Sequence, residues 1–338
     1  MDDCEDLISK NLKRLLILYF TILISTLIWN INQNIFGNPF WPCFILSTTT
    51  FLIIYTPFEI YFSFKDIWLD RWFQIHLEDL SFKKVRIKTD KEKSKGIATL
   101  LITPKSKNIL KLKDVIIVLC HGFSDTKETL QFFYLPLALQ GFTILAYDSR
   151  GTGESKKVGK RSQFLKRIED FKMIINWIKT NEEYKNKKIY SVGFSVGALT
   201  VLCGGFPDKN IEKLVAISSI SNYKKILPTF NPILLLRYFF KGIKLFINDN
   251  ENERLSPYIV INELKQTLPE EDWEKLSSRV LLIHSRNDRI IKLRNFEELS
   301  KILNLRDENK LIMKRGGHTN KKNELVLVSA SLRFFNTP

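Results

Sequence analysis

The chain is 338 residues long and carries 52 lysine and arginine against 36 aspartate and glutamate residues, a formal net charge of +16. That length accommodates one large domain of about 250 residues and an additional segment. Hydrophobic residues make up an ordinary 44% of the chain, which excludes both a disordered protein and a polytopic transporter. The four cysteines, at positions 4, 43, 120 and 203, have no CxxC or regular spacing. Cys43 lies in an apolar run and Cys120 at a predicted strand end, so buried free thiols are expected rather than disulfides.

Two apolar runs near the N-terminus predict a pair of membrane-spanning helices. They extend over Leu15–Ile31 and Phe40–Phe62, and each is close to the ~20 residues that cross a bilayer. Basic residues lie outside both runs and the polar turn between them is uncharged, so the positive-inside rule places both ends in the cytoplasm. The prediction is a membrane anchor over residues 1–73, a helical hairpin with helices at about 15–35 and 40–62.

The second apolar run has an alternative interpretation. Pro57 and Glu59 interrupt it near its end, which would also fit a buried or interfacial helix. A cleaved signal peptide fits the segment poorly, because the chain starts with acidic residues and a second apolar run follows the first.

Most of the positive charge lies after the predicted anchor. Beyond residue 73 there are 47 basic and 29 acidic side chains, a net charge of +18. A basic domain tethered beside the cytoplasmic leaflet would be attracted to anionic lipid headgroups. Nucleic-acid binding is the competing interpretation, and it is not expected because the sequence has no recognition helix, zinc-ligand spacing or aromatic-basic motif.

From Phe82 onward the sequence predicts strands alternating with helices. Lys84–Lys88 and Gly96–Thr103 predict an antiparallel hairpin at a sheet edge, and later strands are apolar runs typical of parallel strands buried on both faces. The further strands are predicted at Asp114–Cys120, Phe142–Tyr147, Ile189–Val192, Lys213–Ser218, Arg279–His284 and Leu311–Lys314, and helices at Thr129–Gln140, Gln163–Thr180 and Lys322–Phe335. This alternation indicates an α/β domain with a mostly parallel central sheet and helices on both faces.

A sharp strand-to-helix turn is predicted at residues 193–197, GFSVG, which follow the third of these parallel strands. Glycines two residues before and after Ser195 permit a turn in which the serine adopts a strained positive φ and exposes its hydroxyl at the top of the sheet. The helix that follows directs its N-terminus toward developing negative charge. The alternative interpretation is an ordinary Gly-Ser turn that matches G-x-S-x-G by coincidence.

A serine nucleophile needs an imidazole to accept its proton, and the chain has four histidines. His76 lies in the membrane-proximal linker, His121 opens a loop after a strand, and His284 lies within a strand, where a structural role is expected. His318 lies in a glycine-rich loop between the last strand and the last helix, which allows it to reach the top of the sheet. His318 is therefore the predicted general base.

An acid that orients the imidazole is expected after a strand between Ser195 and His318. Asp288 follows the strand that ends at His284, whereas the segment after the preceding strand, residues 218–222, contains no carboxylate. Asp288 is therefore the predicted acid, with a simple turn former as the alternative.

These motifs give the chain from about Phe82 to its end a resemblance to serine hydrolases of the α/β-hydrolase fold. They are HGF at 121–123, DSRGTGES at 148–155, GFSVG at 193–197, and the Asp288/His318 pair. The resemblance implies an oxyanion hole formed by the backbone N–H groups of Phe123 and Val196. It also implies that Asp148 and Arg150 brace a loop rather than take part in catalysis, and it disfavours the epoxide hydrolases and dehalogenases, which have an aspartate nucleophile where this chain has Ser195.

About sixty residues separate the strands that end near Ser218 and begin at Arg279, more than a simple crossover needs. We expect a helical cap insertion at about 221–277, with an apolar, basic-flanked stretch at Pro232–Phe246 and a helix at Glu270–Leu276. Such a cap beside a membrane anchor would suit a lipid or long-chain ester. The alternative is that these residues merely cover the sheet.

The sequence therefore predicts an N-terminal transmembrane hairpin followed by an α/β-hydrolase domain over residues 74–338. Within that fold, the chain resembles the monoacylglycerol-lipase-like and serine-aminopeptidase-like subset. It implies a membrane-anchored esterase that cleaves lipophilic carboxylic esters through an acyl-enzyme, with no metal and no organic cofactor. Peptidase, thioesterase and acyltransferase activity would use the same residues, and a non-catalytic binding module on this fold is the alternative from another class.

Overall fold

The computed structural model describes residues 2–68, 79–88, 96–105, 114–226, 239, 242–243 and 247–337. The chain divides into two compact units, residues 1–74 and residues 75–338. Each unit has its own internal packing, and each is described separately below.

The first unit is a pair of long helices. Helix α1 extends over Asp2–Asn30 and continues into a π-helical turn at Ile31–Ile35, and α2 extends over Phe40–Trp68. The chain reverses at Gly37, whose positive φ of 63° is accessible to glycine without strain. Residues 14–35 and 40–63 are long and apolar enough to cross a membrane, by length and composition alone.

Both helices are longer than the sequence predicted. Helix α1 starts well before Leu15, since no glycine or proline precedes Gly37. Helix α2 passes through Pro57 without a break and continues to Trp68. Proline removes only one backbone donor, and a helix that continues beyond it still pairs the remaining N–H and C=O groups.

Polar contacts join the two helices along their shared face. Ser47 Oγ donates to the Ser25 carbonyl at 3.0 Å, and Thr21 and Cys43 are buried between the helices. Glu59, which favoured an interfacial helix at the level of sequence, accepts from Arg14 of α1 and from the Tyr55 hydroxyl. An acidic side chain in this apolar helix therefore has a cationic partner on the neighbouring helix.

The second unit is built on an eight-stranded sheet. The strands are β1 Leu80–Ile87, β2 Ile97–Pro104, β3 Val115–Cys120, β4 Thr143–Tyr147, β5 Lys188–Phe194, β6 Ile211–Ile217, β7 Val280–Ser285 and β8 Lys310–Met313. Their order in the sheet is β1-β2-β4-β3-β5-β6-β7-β8. Strands β1 and β2 pair antiparallel, β2 is antiparallel to β4, and every later pairing is parallel. The mostly parallel sheet with an antiparallel edge hairpin is thus confirmed.

Helices cover both faces of this sheet. Side chains of β3 alternate between two core clusters, with Ile116 and Val118 on one face and Ile117 and Leu119 on the other. That alternation explains why the central strands are apolar throughout rather than at every second position. The helices of the unit are α3 Gln131–Leu139, α4 Phe164–Thr180, α5 Val196–Gly204, α6 Tyr223–Ile226, α7 Asp249–Leu255, α8 Pro257–Thr267, α9 Glu270–Ser277, α10 Leu293–Ile302 and α11 Glu324–Asn336.

Two helices in the described part of the predicted cap region, α8 and α9, pack on the sheet. Helix α9 matches the helix expected at Glu270–Leu276, but its Trp273 is fully buried in the core on one face of the sheet, as is Ile261 of α8. Residues 257–277 therefore cover the sheet, which was the alternative interpretation of this region. The apolar stretch Pro232–Phe246 lies outside the described residues apart from positions 239, 242 and 243.

Candidate active site

The turn at Ser195 depends on close contact between backbones. Ser195 has φ 54° and ψ −112°, between the end of β5 and the start of α5. A Cβ on Gly193 would lie 2.3 Å from the Gly197 carbonyl oxygen, and one on Gly197 would lie 2.0 Å from the carbonyl oxygen of Cys120. Only glycine fits at either position, so the predicted strained turn is present with its physical requirements.

The structure brings the three predicted catalytic side chains into one hydrogen-bonded chain. His318 Nε2 lies 2.9 Å from Ser195 Oγ, and His318 Nδ1 lies 2.8 Å from Asp288 Oδ2. A carboxylate can only accept, so Nδ1–H donates to Asp288 and the lone pair of Nε2 faces the serine hydroxyl. The imidazole is therefore held in the tautomer that can accept the Ser195 proton.

Asp288 is held as an anion by its own loop. Its Oδ1 accepts from the backbone N–H groups of Ile290 and Ile291 at 2.8 and 2.9 Å. Burial by itself raises the pKa of this carboxyl, but the hydrogen bonds from His318, Ile291 and Ile290 outweigh burial and leave its pKa below the ordinary value. The carboxylate is buried and stays charged opposite the imidazole.

The loop that carries His318 is shaped by two adjacent glycines. Gly316 and Gly317 have φ values of 133° and 61°, and the Gly317 N–H donates to Asn287 Oδ1 at 2.8 Å. Asn287 immediately precedes Asp288, so one hydrogen bond ties the histidine loop to the aspartate loop. The imidazole and its acid are thereby positioned as a unit.

The other histidines have different surroundings. His76 lies outside the described residues. His284 is buried with Nε2 2.9 Å from the Ile291 carbonyl oxygen, which confirms a structural role. His121 is buried behind the loop that begins at Gly122.

His121 connects three segments through its two ring nitrogens. Its Nε2 accepts from the Ser149 N–H at 2.9 Å, so the ring proton is on Nδ1, which donates to the Gly122 carbonyl at 2.7 Å. Burial, followed by the positive charge of Arg167, lowers the pKa of His121 well below its ordinary value. His121 is therefore a neutral brace for the loop that contains Phe123.

The two predicted oxyanion-hole residues lie on neighbouring segments. Phe123 is half-buried in the loop after β3, and Val196 is the first residue of α5. The start of α5 meets this loop because Gly197 packs directly on the carbonyls of Cys120 and His121. The N-terminus of α5, with its unpaired N–H groups and positive dipole end, begins beside Ser195.

Asp148 and Arg150 brace the neighbouring loop, as predicted. Asp148 is fully buried and accepts from the Lys127 ammonium at 2.7 Å and from the Glu154 N–H at 2.8 Å. Arg150 forms a bidentate pair with Asp170 of α4 at 2.6 and 2.7 Å. These charges are compensated by partners and lie outside the Ser195–His318–Asp288 chain.

Lys127 is a structural residue that the sequence analysis missed. The carboxylates of Glu128, Asp148 and Glu154 lie close enough together to bind a cation, and the cation at their centre is the Lys127 ammonium, 2.7–2.9 Å from each. These carboxylates raise the pKa of Lys127 against the opposing effect of burial. Lys127 gave no sequence signal, because two of its three partners, Asp148 and Glu154, are contributed by a loop more than twenty residues away.

An apolar cluster lies directly beside the nucleophile, and we call it the elbow cluster. Its members come from α4, from α5 to α8, from the loops after β3, β6 and β7 and from the segment before α7, and they include three half-buried residues of the predicted cap. The elbow cluster consists of Phe164, Ile168, Val196, Leu199, Cys203, Ile220, Tyr223, Leu255 and Ile291, with Phe123, Leu165, Ile243, Ile247 and Val260 packed against it. The residue after Ser195 thus belongs to a continuous cluster of apolar side chains.

Comparison with known proteins agrees with this architecture. Residues 112–253 match the Hydrolase_4 family model, described as serine aminopeptidase, S33. An Escherichia coli protein, called an uncharacterized 31.7 kDa protein in the traX-finO intergenic region, is 25% identical, and the match covers 60% of this chain and 81% of that protein.

Solved structures show the same fold at low sequence identity. An α/β serine hydrolase without a lid from Xanthomonas campestris is 12% identical with a TM-score of 0.50, covering 76% of this chain and 97% of that one. An esterase from Pyrococcus furiosus is 21% identical with a TM-score of 0.51, covering 76% and 90%. Pyrococcus horikoshii acylaminoacyl peptidase is 19% identical with a TM-score of 0.51, covering 76% of this chain and 40% of that one.

These likenesses, with the sheet order and the turn at Ser195, show that residues 75–338 have the α/β-hydrolase fold. The family model matches less than half of the chain, and its residues 112–253 lie within this fold.

The neutral state of His121 predicts an acid-sensitive contribution to stability. Unfolded His121 binds a proton below its ordinary pKa of 6.5, whereas the folded protein keeps it neutral. The unfolded state then holds more protons, so stability falls as pH drops below 6.5, by about 1.4 kcal/mol per pH unit for one histidine.

Replacing His121 with asparagine should lower stability at pH 8 and flatten the fall between pH 6.5 and 5. Denaturant unfolding of both proteins across this pH range measures the two slopes. Equal slopes in wild type and variant would show that His121 is not held neutral by the fold. His284, whose pKa burial also lowers, contributes with the same sign in both proteins and does not affect the difference.

Proposed function

We propose that this protein is a membrane-anchored serine hydrolase that cleaves lipophilic carboxylic esters through an acyl-enzyme intermediate. The observation that carries the proposal is the unbroken hydrogen-bond chain from Ser195 through His318 to Asp288. Ser195 is the nucleophile, His318 is the general base and then the general acid, and Asp288 orients the imidazole and stabilises its protonated form.

Acyl transfer then follows from the positions of these groups. His318 Nε2 accepts the Ser195 proton as Oγ attacks the acyl carbon, and the same proton is delivered to the leaving alcohol when the tetrahedral intermediate collapses. Water repeats the sequence on the acyl-enzyme and releases the acid. The N–H groups of Phe123 and Val196 stabilise the oxyanion in each half, an effect of about 2.7–4 kcal/mol per donor in well-studied enzymes.

The elbow cluster supports a lipophilic acyl group. Val196 and Leu199 are buried in this cluster immediately after the nucleophile, and the half-buried Phe123, Ile243 and Ile247 packed against it provide apolar surface. An acyl chain bound against this surface would remove apolar area from water, at about 0.8 kcal/mol per buried methylene. A bound substrate of this kind needs no metal and no organic cofactor for the chemistry described.

The N-terminal helices support attachment to a membrane. We assign residues 1–73 to an anchor and 74–338 to the hydrolase domain, with the domain on the cytoplasmic side. The support is the length and apolar surface of α1 and α2, together with basic residues outside both runs. The net charge of +18 on the rest of the chain would add attraction to anionic lipid headgroups.

Peptide hydrolysis is the second candidate function, favoured by the description of the matching family as serine aminopeptidase. An aminopeptidase must bind the protonated amino terminus of its substrate, which calls for a carboxylate near the nucleophile. Asp125 interacts electrostatically with His318, but burial raises the pKa of its carboxyl and so disfavours the charged form that would pair with an ammonium. Esters of apolar acids fit the surroundings of Ser195 better.

Replacing Ser195 with alanine should abolish both ester hydrolysis and labelling by a fluorophosphonate, because Ser195 Oγ is the hydroxyl that His318 Nε2 contacts. Activity is expected to fall by at least about 10³-fold. Ser191→Ala is the matched control, since its buried Oγ lies on the same strand and has no hydrogen-bond partner among the described residues. Labelling that persists in Ser195→Ala, or that is absent from the wild type, would refute the assignment.

Chain-length preference tests the lipophilic substrate. With p-nitrophenyl esters from acetyl to palmitoyl, kcat/KM should rise by up to about fourfold per methylene while the chain remains in contact with the elbow cluster. Ile243→Ser should reduce this preference and leave acetyl-ester turnover unchanged, whereas Leu325→Ser, at an exposed site on α11, should change neither. A preference for acetate, or for aminoacyl p-nitroanilides, would contradict the proposal.

Membrane attachment predicts that the full chain stays in the membrane pellet after extraction with alkaline carbonate. A chain lacking residues 1–73 should remain there only at low salt, through its basic surface, and should be released by high salt. Immunoblotting of pellet and supernatant measures the fraction of each chain that stays with the membrane. Release of the full chain by carbonate would show that α1 and α2 do not span the bilayer.

A further inference from the structure

Arg167 is a buried cation that lacks a carboxylate partner among the described residues. It lies in the first turn of α4 with a side chain that is 1% exposed, and its Nε and Nη1 atoms have no hydrogen-bond partner among those residues. The two nearby acids of the same helix have other partners, since Asp170 is paired with Arg150 and Glu169 with Lys166 and Arg254. Burial lowers the pKa of Arg167 to about 10, so the guanidinium remains charged at neutral pH.

The remaining nitrogen of Arg167 faces the loop that follows β3. Nη2 lies 3.4 Å from the Gly122 carbonyl oxygen and 3.5 Å from His121 Nδ1. Because His121 Nε2 accepts from the Ser149 N–H, Nδ1 carries the proton and cannot accept from Arg167. Arg167 and His121 are therefore two donors that converge on one oxygen, the carbonyl of Gly122.

The Gly122 carbonyl and the Phe123 N–H, the predicted oxyanion donor, belong to the same peptide group. The structure has no cis peptide bond among the described residues, so the Gly122 carbonyl and the Phe123 N–H point in opposite directions from one plane. Two donors thus hold the carbonyl end of this peptide, His121 Nδ1 and Arg167 Nη2.

We propose that Arg167 is a positioning residue for the oxyanion hole, acting through the Gly122–Phe123 peptide. Its guanidinium, together with His121, holds the carbonyl end of the peptide and thereby directs the Phe123 N–H toward the acyl oxygen at Ser195. The positive charge at the carbonyl also polarises the amide, since hydrogen bonds in series strengthen one another in a low-dielectric interior. The inference rests on the proposed function of Ser195.

This role explains why a charge is kept in a buried position. A buried guanidinium without a carboxylate costs free energy of folding, and an apolar side chain of similar size would avoid that cost. A charge that stabilises an oxyanion one peptide away acts on the transition state more than on the neutral ester. The expected effect therefore falls on kcat, and KM stays nearly constant.

A trifluoromethyl ketone gives a direct readout of oxyanion stabilisation. Addition of Ser195 Oγ to the ketone carbon forms a hemiketal whose oxygen occupies the oxyanion hole, and fluorine NMR of the full chain in detergent follows its ionisation with pH. In Arg167→Met the hemiketal pKa should rise by about one unit, and kcat for a p-nitrophenyl ester should fall about tenfold with KM within about twofold. Arg167→Lys should show about half of this rise.

The matched control is Arg279→Met. Arg279 is also an arginine that donates to backbone carbonyls, those of Phe206 and Ile211, and burial also lowers its pKa, but it precedes β7 at the opposite end of the strand from Asp288. It should lose stability and leave the hemiketal pKa unchanged. An unchanged hemiketal pKa in folded Arg167→Met overturns the inference.

Three further outcomes separate this inference from the proposed function and from a failure to fold. If Arg167→Met does not fold, Arg167→Lys compared with Arg279→Lys decides, and an unchanged hemiketal pKa in Arg167→Lys overturns the inference. If the wild type forms no hemiketal, the proposed function and this inference both fall. If the wild type forms one that Ser195→Ala abolishes, an unchanged Arg167 variant refutes the inference alone.

Discussion

The backbone of Gly197 packs directly against the carbonyl oxygen of Cys120 at the end of β3. A Cβ at position 197 would lie only 2.0 Å from that oxygen. This contact between two backbones determines where the reactive groups lie. It allows α5 to start directly against the loop after β3, so that Ser195, the Val196 N–H and the loop of Phe123 share one small region. With any side chain at position 197 the helix would be displaced, and the hydroxyl would move away from His318.

Charges buried behind this contact fix the loops in place. Lys127 joins three carboxylates, and Arg150 pairs with Asp170, so these side chains are compensated within the fold. Arg167 differs because its contact is with a peptide carbonyl. In a low-dielectric interior a compensated charge mainly determines loop geometry, whereas a charge without a counterion acts on whatever dipole it faces. The latter arrangement suits a site where negative charge develops during a reaction.

The local pattern predicts the architecture well where it agrees with the tertiary environment. The alternation of apolar strands and amphipathic helices located every strand of the sheet to within a few residues, whereas α2, predicted at about 40–62, continues to Trp68. Helix α8 was missed although Ser256 and Pro257 are a typical helix start. The helix expected in a cap, α9, packs on the sheet because Trp273 fills the core.

The sequence by itself determined the strand order along the chain, the glycine-flanked turn at Ser195, and the choice of His318 and Asp288 as its partners. It could do so because few histidines exist and because the carboxyl ends of parallel strands meet at one edge. Only the tertiary structure decided the partners of Lys127, the tautomer of His121 and the position of Arg167 behind the Gly122 carbonyl. Those features depend on which loops meet in space and on burial, and neither leaves a periodic signal in the chain.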